Sequence, residues 1–174
     1  QTVMVEFTPR RMPPCSILLH LNEKSAPVRS DLGRLAETFR REVFVNTIEI
    51  ALSYLKGMDR LDLDAATAGW ADDMCYYGIE QADGHVRRRW YKGKAQAVGY
   101  IRKWLSVMES LKYTAGAILG DDKTVMIEWF DVARHKDGTE YKNQGVLVYE
   151  FNDQKKVKEI RMYCDFESLQ SFAF

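Results

Sequence analysis

The chain has 174 residues, of which 46% are hydrophobic and 29% charged, and lysine plus arginine balance aspartate plus glutamate at 25 each. This length and composition suffice for a domain with a buried core, and the neutral balance provides no attraction to nucleic acid or to an anionic membrane. The expected partner is a small molecule or another protein.

The three cysteines, Cys15, Cys75 and Cys164, are far apart and form no Cys-x-x-Cys or Cys/His cluster. This spacing argues against a zinc site and a disulfide scaffold, and it favours a reducing, cytoplasmic location. No apolar run approaches the roughly 18 residues of a membrane helix, and the run at residues 16–21 is too short and too late for a signal-peptide core.

All four prolines lie within the first 27 residues. This shift in composition predicts a boundary, with residues 1–29 as an N-terminal extension and residues 30–174 as the folded domain. Two short apolar runs in the extension, residues 3–7 and 17–21, are compatible with edge strands or with a segment that lies over the domain.

Three amphipathic helices are predicted next. Ser30 suits an N-cap, and apolar residues recur at helical spacing until Gly57, which predicts a helix of about seven turns. A shorter helix is expected over residues 63–70, and a third begins near Gly93. The buried face of the third helix is marked by Ala97, Ile101, Trp104 and Met108.

The remaining segments predict strands. Residues 73–79 have strand character, and residues 81–91, which include three consecutive arginines, suit a loop or a hairpin. After the third helix the apolar period changes from about 3.6 to 2. Four strands of an antiparallel meander are predicted, over residues 113–119, 124–134, 141–151 and 157–164. The result is an α+β cone whose helices cover the concave face of a curved antiparallel sheet and leave a pocket at its open end.

One predicted strand carries a carboxylate at the end of an apolar face. Its alternate residues are Val125, Ile127, Trp129 and Asp131. A carboxylate there either enters a cavity or reaches the rim of the sheet, because burial without a partner costs several kcal/mol or forces protonation. Asp131 is therefore either a general acid or base with a raised pKa, or a rim carboxylate paired with Arg134, Arg161 or a loop amide.

Three segments, together with the order of the elements, resemble the SnoaL-like branch of the NTF2-like superfamily. They are WADDMCYYGI at residues 70–79, RWYKGKAQAVGYI at 89–101 and VYEFNDQKKVKEIRMYCD at 148–165. The resemblance covers residues 31–168 and implies the NTF2-like cone and a homodimer that pairs through the outer faces of its sheets. It does not select a reaction, because the superfamily includes cyclases, isomerases, dehydratases, epoxide hydrolases and proteins without known catalysis.

Two reactions of the superfamily can be compared with this sequence. Limonene epoxide hydrolases have an Arg two residues before an Asp on a central strand and a second Asp on the last strand. Asp131 matches the first Asp, but Trp129 and Met162 occupy the other two positions. The base of ketosteroid isomerases falls near Gly78. Both reactions are therefore poorly supported.

The predicted pocket face is mostly apolar, which suits a hydrophobic, ring-shaped ligand of terpenoid or polyketide type. Tyr76 is preferred to Tyr77 as an inward hydroxyl donor, because the inward positions of the family align there; a packed tyrosine with a satisfied hydroxyl is the alternative. His85 would border the pocket mouth, although a solvated loop histidine is the commoner case. The candidate substrate-binding residues are Trp129, Asn143, Met162, His85 and Leu147.

These observations predict a cofactor-independent enzyme, without a metal, that cyclises, isomerises or dehydrates a hydrophobic small molecule. Asp131 would be the acid-base group, and Tyr76 and Asn143 would orient a substrate oxygen. The sequence contains no Gly-rich phosphate loop, His-Glu-x-x-His or Gly-x-Ser-x-Gly, so nucleotide, zinc-protease and serine-hydrolase chemistry lack support. The alternative is a non-catalytic ligand-binding or dimerisation module of the same fold.

Overall fold

The computed structural model describes residues 31–82 and 85–165, so the extension predicted for residues 1–29 lies outside the described part. The helices are α1 (Asp31–Asp59), α2 (Leu63–Thr67) and α3 (Lys94–Ser106). The strands are β1 (Trp70–Ala82), β2 (His85–Lys92), β3 (Met108–Gly120), β4 (Thr124–His135), β5 (Glu140–Phe151) and β6 (Val157–Cys164). Of the helices in this part of the chain, none combines the length and the apolar character needed to span a bilayer.

The six strands form one sheet in the order β2-β1-β6-β5-β4-β3. The predicted meander from β3 to β6 is confirmed, with every neighbouring pair antiparallel. The prediction of an antiparallel sheet is wrong for one strand pair, because β1 pairs parallel with β6. After the β1–β2 hairpin, the chain crosses through α3 to the far edge, so the returning meander brings β6 beside β1 in the same direction.

Two predicted helix ends are wrong. Trp70 begins β1 rather than ending α2, and Met108 begins β3 rather than closing the apolar face of α3. Both side chains are buried in the core, and a single apolar residue beyond a helix fits the helical and the strand period equally well. Residues 81–91 take the hairpin alternative, with β2 paired antiparallel to β1.

Gly57 has a different role from the predicted helix stop, because α1 continues past it to Asp59. A Cβ at Gly57 would lie 2.5 Å from the backbone nitrogen of Ala66, so this glycine allows α2 to pack closely on α1. Asp59, the last residue of α1, accepts hydrogen bonds from the backbone N–H of Tyr113 and from the Lys112 ammonium. These contacts attach the end of α1 to β3.

One core lies between the helices and the inner face of the sheet. The helix α1 contacts β3 and β4, while α3 contacts β1 and β2. Tyr54 and Met58 from α1 and Ile101 from α3 pack with Ile127 and Leu147 of the sheet. The inner face of β4 is buried along its length, whereas the outer residues are partly or well exposed.

Candidate active site

A cavity of about 40 Å³ lies inside the core, between α1, α3 and the inner face of the sheet. A single water needs roughly 10–15 Å³ of such space, so the cavity has room for a few waters or a functional group of similar size. Its lining is mainly aromatic and apolar and consists of Tyr54, Met58, Tyr76, Ile79, Tyr100, Ile101, Trp104, Tyr113, Trp129, Asp131, Tyr141, Asn143, Met162 and Cys164.

Asp131 is the carboxylate of this cavity. The residue is 4% exposed, and its Oδ1 has no hydrogen-bond partner among the described residues. Burial raises its pKa from 3.8 to about 7, although a hydrogen bond from the backbone N–H of Asn143 partly lowers it. Desolvation dominates because the charged form loses its water and gains only one donor in return. Asp131 can therefore both accept and return a proton near neutral pH.

The arginines considered as partners of Asp131 are engaged elsewhere. Arg134 pairs with Glu109 at 2.9 Å and Glu140 at 3.3 Å, and Arg161 pairs with Glu150 at 2.9 Å and with Glu159. Asp131 thus faces the cavity rather than the rim, and none of the ion pairs formed by residues 31–82 and 85–165 includes it.

Trp129 lies two residues before Asp131 on the same face of β4. Its indole is 2% exposed, and Nε1 has no hydrogen-bond partner within the described part of the chain. Gly145, opposite on β5, leaves room for the ring, since a Cβ there would lie 2.9 Å from Cζ2 of Trp129. The cavity wall therefore offers an unpaired N–H donor near an unpaired carboxyl oxygen. Buried polar atoms without partners are rare and indicate a site for a ligand or water.

Tyr76 points inward, as predicted, with 1% exposure, while Tyr77 lies on the partly exposed outer face. The Tyr76 hydroxyl lies 3.3 Å from that of Tyr54 and donates to the Met162 sulfur at 3.8 Å. Burial, followed by the nearby Tyr54 and Tyr100, raises the pKa of Tyr76 well above its usual range. The hydroxyl therefore stays protonated at neutral pH and acts as a donor.

Asn143 and Cys164 complete the polar part of the wall. The Asn143 side-chain oxygen accepts the backbone N–H of Gln144 at 2.7 Å, which fixes the orientation of its amide. Burial raises the pKa of the Cys164 thiol to about 12, against smaller lowering effects from Arg88 and a hydrogen bond to Asn143. A thiol that stays protonated is a poor nucleophile.

The other predicted site residues lie in different surroundings. Leu147 is buried in the core but is not among the residues that line the cavity. His85 begins β2, opposite Ala82 rather than in a loop, and its side chain lies outside the described residues. At Gly78, an added Cβ would lie 2.7 Å from the Tyr76 ring and 3.0 Å from the Tyr100 ring. The position compared with the ketosteroid isomerase base therefore has no space for a carboxylate.

Sequence reasoning missed the contribution of the helices to the cavity. Tyr54 and Met58 on α1, and Tyr100 and Trp104 on α3, are pairs four residues apart, so each pair lies on one helix face. The four-residue spacing of these aromatic and apolar side chains could have indicated their common face from the sequence. No comparable pattern indicated Tyr113, because it lies on β3, whose register with β4 shifts further along the pair. Its ring packs edge-on against Trp129 with centroids 5.5 Å apart.

Comparisons with known proteins agree with this architecture. A family model described as a SnoaL-like domain matches residues 51–160, more than half of the chain. Among curated proteins no match is found.

Three solved structures illustrate the similarity in fold. A Δ5-3-ketosteroid isomerase from Mycobacterium sp. has 16% identity and a TM-score of 0.61, with 71% of this chain and 95% of that chain covered. An epoxide hydrolase of the limonene epoxide hydrolase-like type from M. tuberculosis has 17% identity and a TM-score of 0.56, with 74% and 89% covered. A third protein, from Mycobacterium tuberculosis in complex with estradiol-17β-hemisuccinate, has 15% identity and a TM-score of 0.60, with 71% and 96% covered.

At these identities, the structural similarities establish the fold, and they confirm the predicted α+β cone of NTF2-like type. The family match independently covers β1 through the first half of β6, together with the last third of α1. The chain therefore belongs to the SnoaL-like domain family.

Proposed function

We propose that this protein is a cofactor-independent enzyme that moves a proton on a hydrophobic, oxygenated small molecule of polyketide or terpenoid type. The observation that carries the proposal is the buried carboxyl of Asp131, whose Oδ1 has no partner among the described residues and whose pKa is raised to about 7. A pKa near the working pH is what general acid-base catalysis favours.

The proposed reaction starts at a carbon next to a substrate carbonyl. The Asp131 carboxylate removes a proton from that carbon, and the C–H electron pair moves into the carbonyl to form an enolate. The Trp129 N–H donates a hydrogen bond to the enolate oxygen, where the negative charge develops. Asp131, now a carboxylic acid, returns its proton to another carbon in an isomerisation, to the oxygen formed by ring closure in a cyclisation, or to the departing hydroxide in a dehydration.

Tyr76 and Asn143 are proposed to orient the substrate oxygen in this site. Both line the cavity, and Tyr76 keeps its proton because burial raises its pKa. Met162 shapes the wall beside the Tyr76 hydroxyl. The estradiol derivative bound by a neighbour of the same fold supports a ring-shaped, hydrophobic substrate class.

The direct test is deuterium exchange into a ring ketone, α-tetralone, measured by mass spectrometry in D2O. We expect the wild-type protein to accelerate exchange at the carbon next to the carbonyl, and Asp131→Asn to reduce the rate to that of buffer. The rate should rise with pH and reach its midpoint near pH 7, because the carboxylate is the base. The matched control is Asp137→Asn, since Asp137 is exposed on the β4–β5 turn.

If Asp131→Asn exchanges deuterium at the wild-type rate, Asp131 is not the base in the reaction. A wild-type protein that gives no acceleration would favour the non-catalytic module instead. That second candidate has its own support in the outer face of β4, where Met126 is 40% and Val132 48% exposed. Such an apolar face fits a homodimer that pairs through its sheets.

A further inference from the structure

A groove lies beside the cavity, between α3 and the β1–β2 hairpin. Its volume is about 250 Å³, several times that of the cavity. The two spaces share Ile79, Tyr100 and Trp104 in their linings. These three side chains therefore separate an inner space, which contains Asp131, from an outer one that is open to solvent.

Tyr100 is the central residue of this partition. Its ring stacks on Tyr91 with centroids 4.3 Å apart. Its hydroxyl accepts the backbone N–H of Ile79 at 3.3 Å and donates to the carbonyl oxygen of the same residue. The Tyr76 ring lies on the cavity side with its centroid 5.8 Å from that of Tyr100, so the phenol is held by two rings and one peptide unit. Joining the two spaces requires rotation of this side chain and leaves the sheet in place.

The charges of the groove favour an anion. The carboxylate of Glu80 is compensated by Arg89 at 2.8 Å and Arg87 at 3.7 Å. Lys103, which lines the groove from α3, forms no ion pair with any described residue. With Glu80 compensated by these arginines, the uncompensated charge in the groove lining is the Lys103 ammonium, which lies beside the aromatic surfaces of Tyr91, Tyr100 and Trp104.

We propose that this groove is the outer part of the substrate site and that it takes the ring system and an anionic tail of the substrate. The inner cavity has room only for the reacting group, so the rest of a ring-shaped molecule must extend past Tyr100 into the groove. The substrate class is then an organic anion with an apolar ring body, whose charge lies near Lys103. The assignment rests on the proposed function, because it takes the Asp131 cavity as the place of reaction.

Gly99 allows the groove to be filled without disturbing the fold. It lies on α3 and lines the groove, and a Cβ built on it meets no atom within 4 Å. A large side chain there should project into the groove, and loss of a helix glycine stabilises α3. Gly99→Phe is therefore the blocking variant, and Gly99→Ala is its matched control.

Two fluorescent dyes serve as probes for the protein with all 174 residues. The dye 8-anilino-1-naphthalenesulfonate is an aromatic anion, and N-phenyl-1-naphthylamine has the same rings without the sulfonate. We expect Gly99→Phe to weaken binding of both dyes about tenfold, as overpacking does, and Gly99→Ala to leave binding unchanged. Lys103→Met should weaken the anionic dye about threefold, the effect of a partly exposed ion pair, and leave the neutral dye unchanged.

Dye binding that is absent in the wild type, or undiminished in Gly99→Phe, would overturn the assignment of the groove. An equal effect of Lys103→Met on both dyes would overturn its preference for anions. Dye binding does not depend on catalysis, so the dye measurements and the deuterium exchange test the two proposals separately. If the dye pattern holds while the wild-type protein exchanges no deuterium, the reaction assigned to Asp131 fails and the groove remains a binding site.

Discussion

Asp131 combines deep burial with a carboxyl oxygen that no described residue partners, and this combination destabilises the folded protein when the group is charged. Its pKa in the folded state, about 7, exceeds the ordinary value of 3.8 for this group. The folded state therefore holds the proton more tightly than the unfolded state. Its contribution to stability is complete below about pH 4 and is lost as the pH rises through 7.

We expect Asp131→Asn to remove this pH dependence. Relative to wild type, the free energy of unfolding of the variant should increase between pH 4 and pH 8, by at most about 4 kcal/mol at 1.36 kcal/mol per pKa unit. Urea denaturation of both proteins at several pH values measures the difference. A difference that stays constant with pH would mean that the carboxylate is solvated or paired in the folded protein.

The close packing around Gly78 leads to a second prediction for a single residue, a loss of stability on substitution. In Gly78→Ala, the new methyl group must displace the rings of Tyr76 and Tyr100, so we expect a loss of about 1–3 kcal/mol in the free energy of unfolding. The matched control is Gly99→Ala, where the same substitution meets open space and should add up to about 1 kcal/mol. Thermal and urea denaturation distinguish the two. Equal effects would contradict close packing around Gly78.

The sequence was informative at this scale where alternation on one strand was enough. It placed Trp129 and Asp131 on the same face and Tyr76 and Tyr77 on opposite faces, while the choice of Tyr76 as the inward residue came from the family resemblance. The sequence did not show whether Asp131 would form an ion pair, because that depends on which carboxylates the side chains of Arg134 and Arg161 reach. Both bind glutamates, and only three-dimensional structure reveals that choice.

At the scale of the elements, the attachment of α1 to β3 through Asp59 is the contact that positions the Tyr54 end of the helix. Asp59→Ala leaves the backbone N–H of Tyr113 without its acceptor, so we expect a loss of about 1–3 kcal/mol in the free energy of unfolding. Lys112→Met removes only the ion pair of a 73% exposed lysine, which should cost about 0–1 kcal/mol.

Urea denaturation of both variants measures these losses. A smaller loss for Asp59→Ala than for Lys112→Met would show that the charge, rather than the buried N–H, makes the contact important. The tryptophan fluorescence, to which Trp129 contributes as one of four tryptophans, provides a second measurement, because Trp129 packs against Tyr113 at the cavity. It should change in Asp59→Ala and stay constant in Lys112→Met.

The type of each element was predictable from its apolar period, and the ends were less so. The meander strands after α3 were found because turn residues interrupt them. Gly57 was taken as a helix stop, yet it lies inside α1, where its missing side chain allows α2 to approach. A glycine selected for close packing and a glycine that ends a helix look the same in a sequence.

At the scale of the whole molecule, the exposed outer face of the sheet leads to a prediction about assembly. If the protein dimerises through this face, Val132→Lys places a charge in the interface, and the dimer should dissociate. Light scattering coupled to size exclusion measures the mass. The control is Ala95→Lys on the exposed side of α3, and an unchanged mass in Val132→Lys would place any dimer contact elsewhere.

The α+β cone was predictable because helical and strand periods follow each other in separate blocks. The parallel neighbour of β1 was not, because no local pattern states which strand a hairpin will meet after a crossover. The volume of the cavity was also beyond the sequence, since it depends on how far the aromatic rings from both helices fill the cone.

The parallel pairing of β1 with β6 also orders the assembly of the protein during synthesis. The hairpins of the sheet, including β1–β2, close short loops, whereas the other edge of β1 must wait for β6. Tyr76 and Met162, which meet across the cavity wall, come together only at that last step. A nascent chain without β6 therefore lacks part of the cavity wall, and the cavity can form only after β6 has left the ribosome.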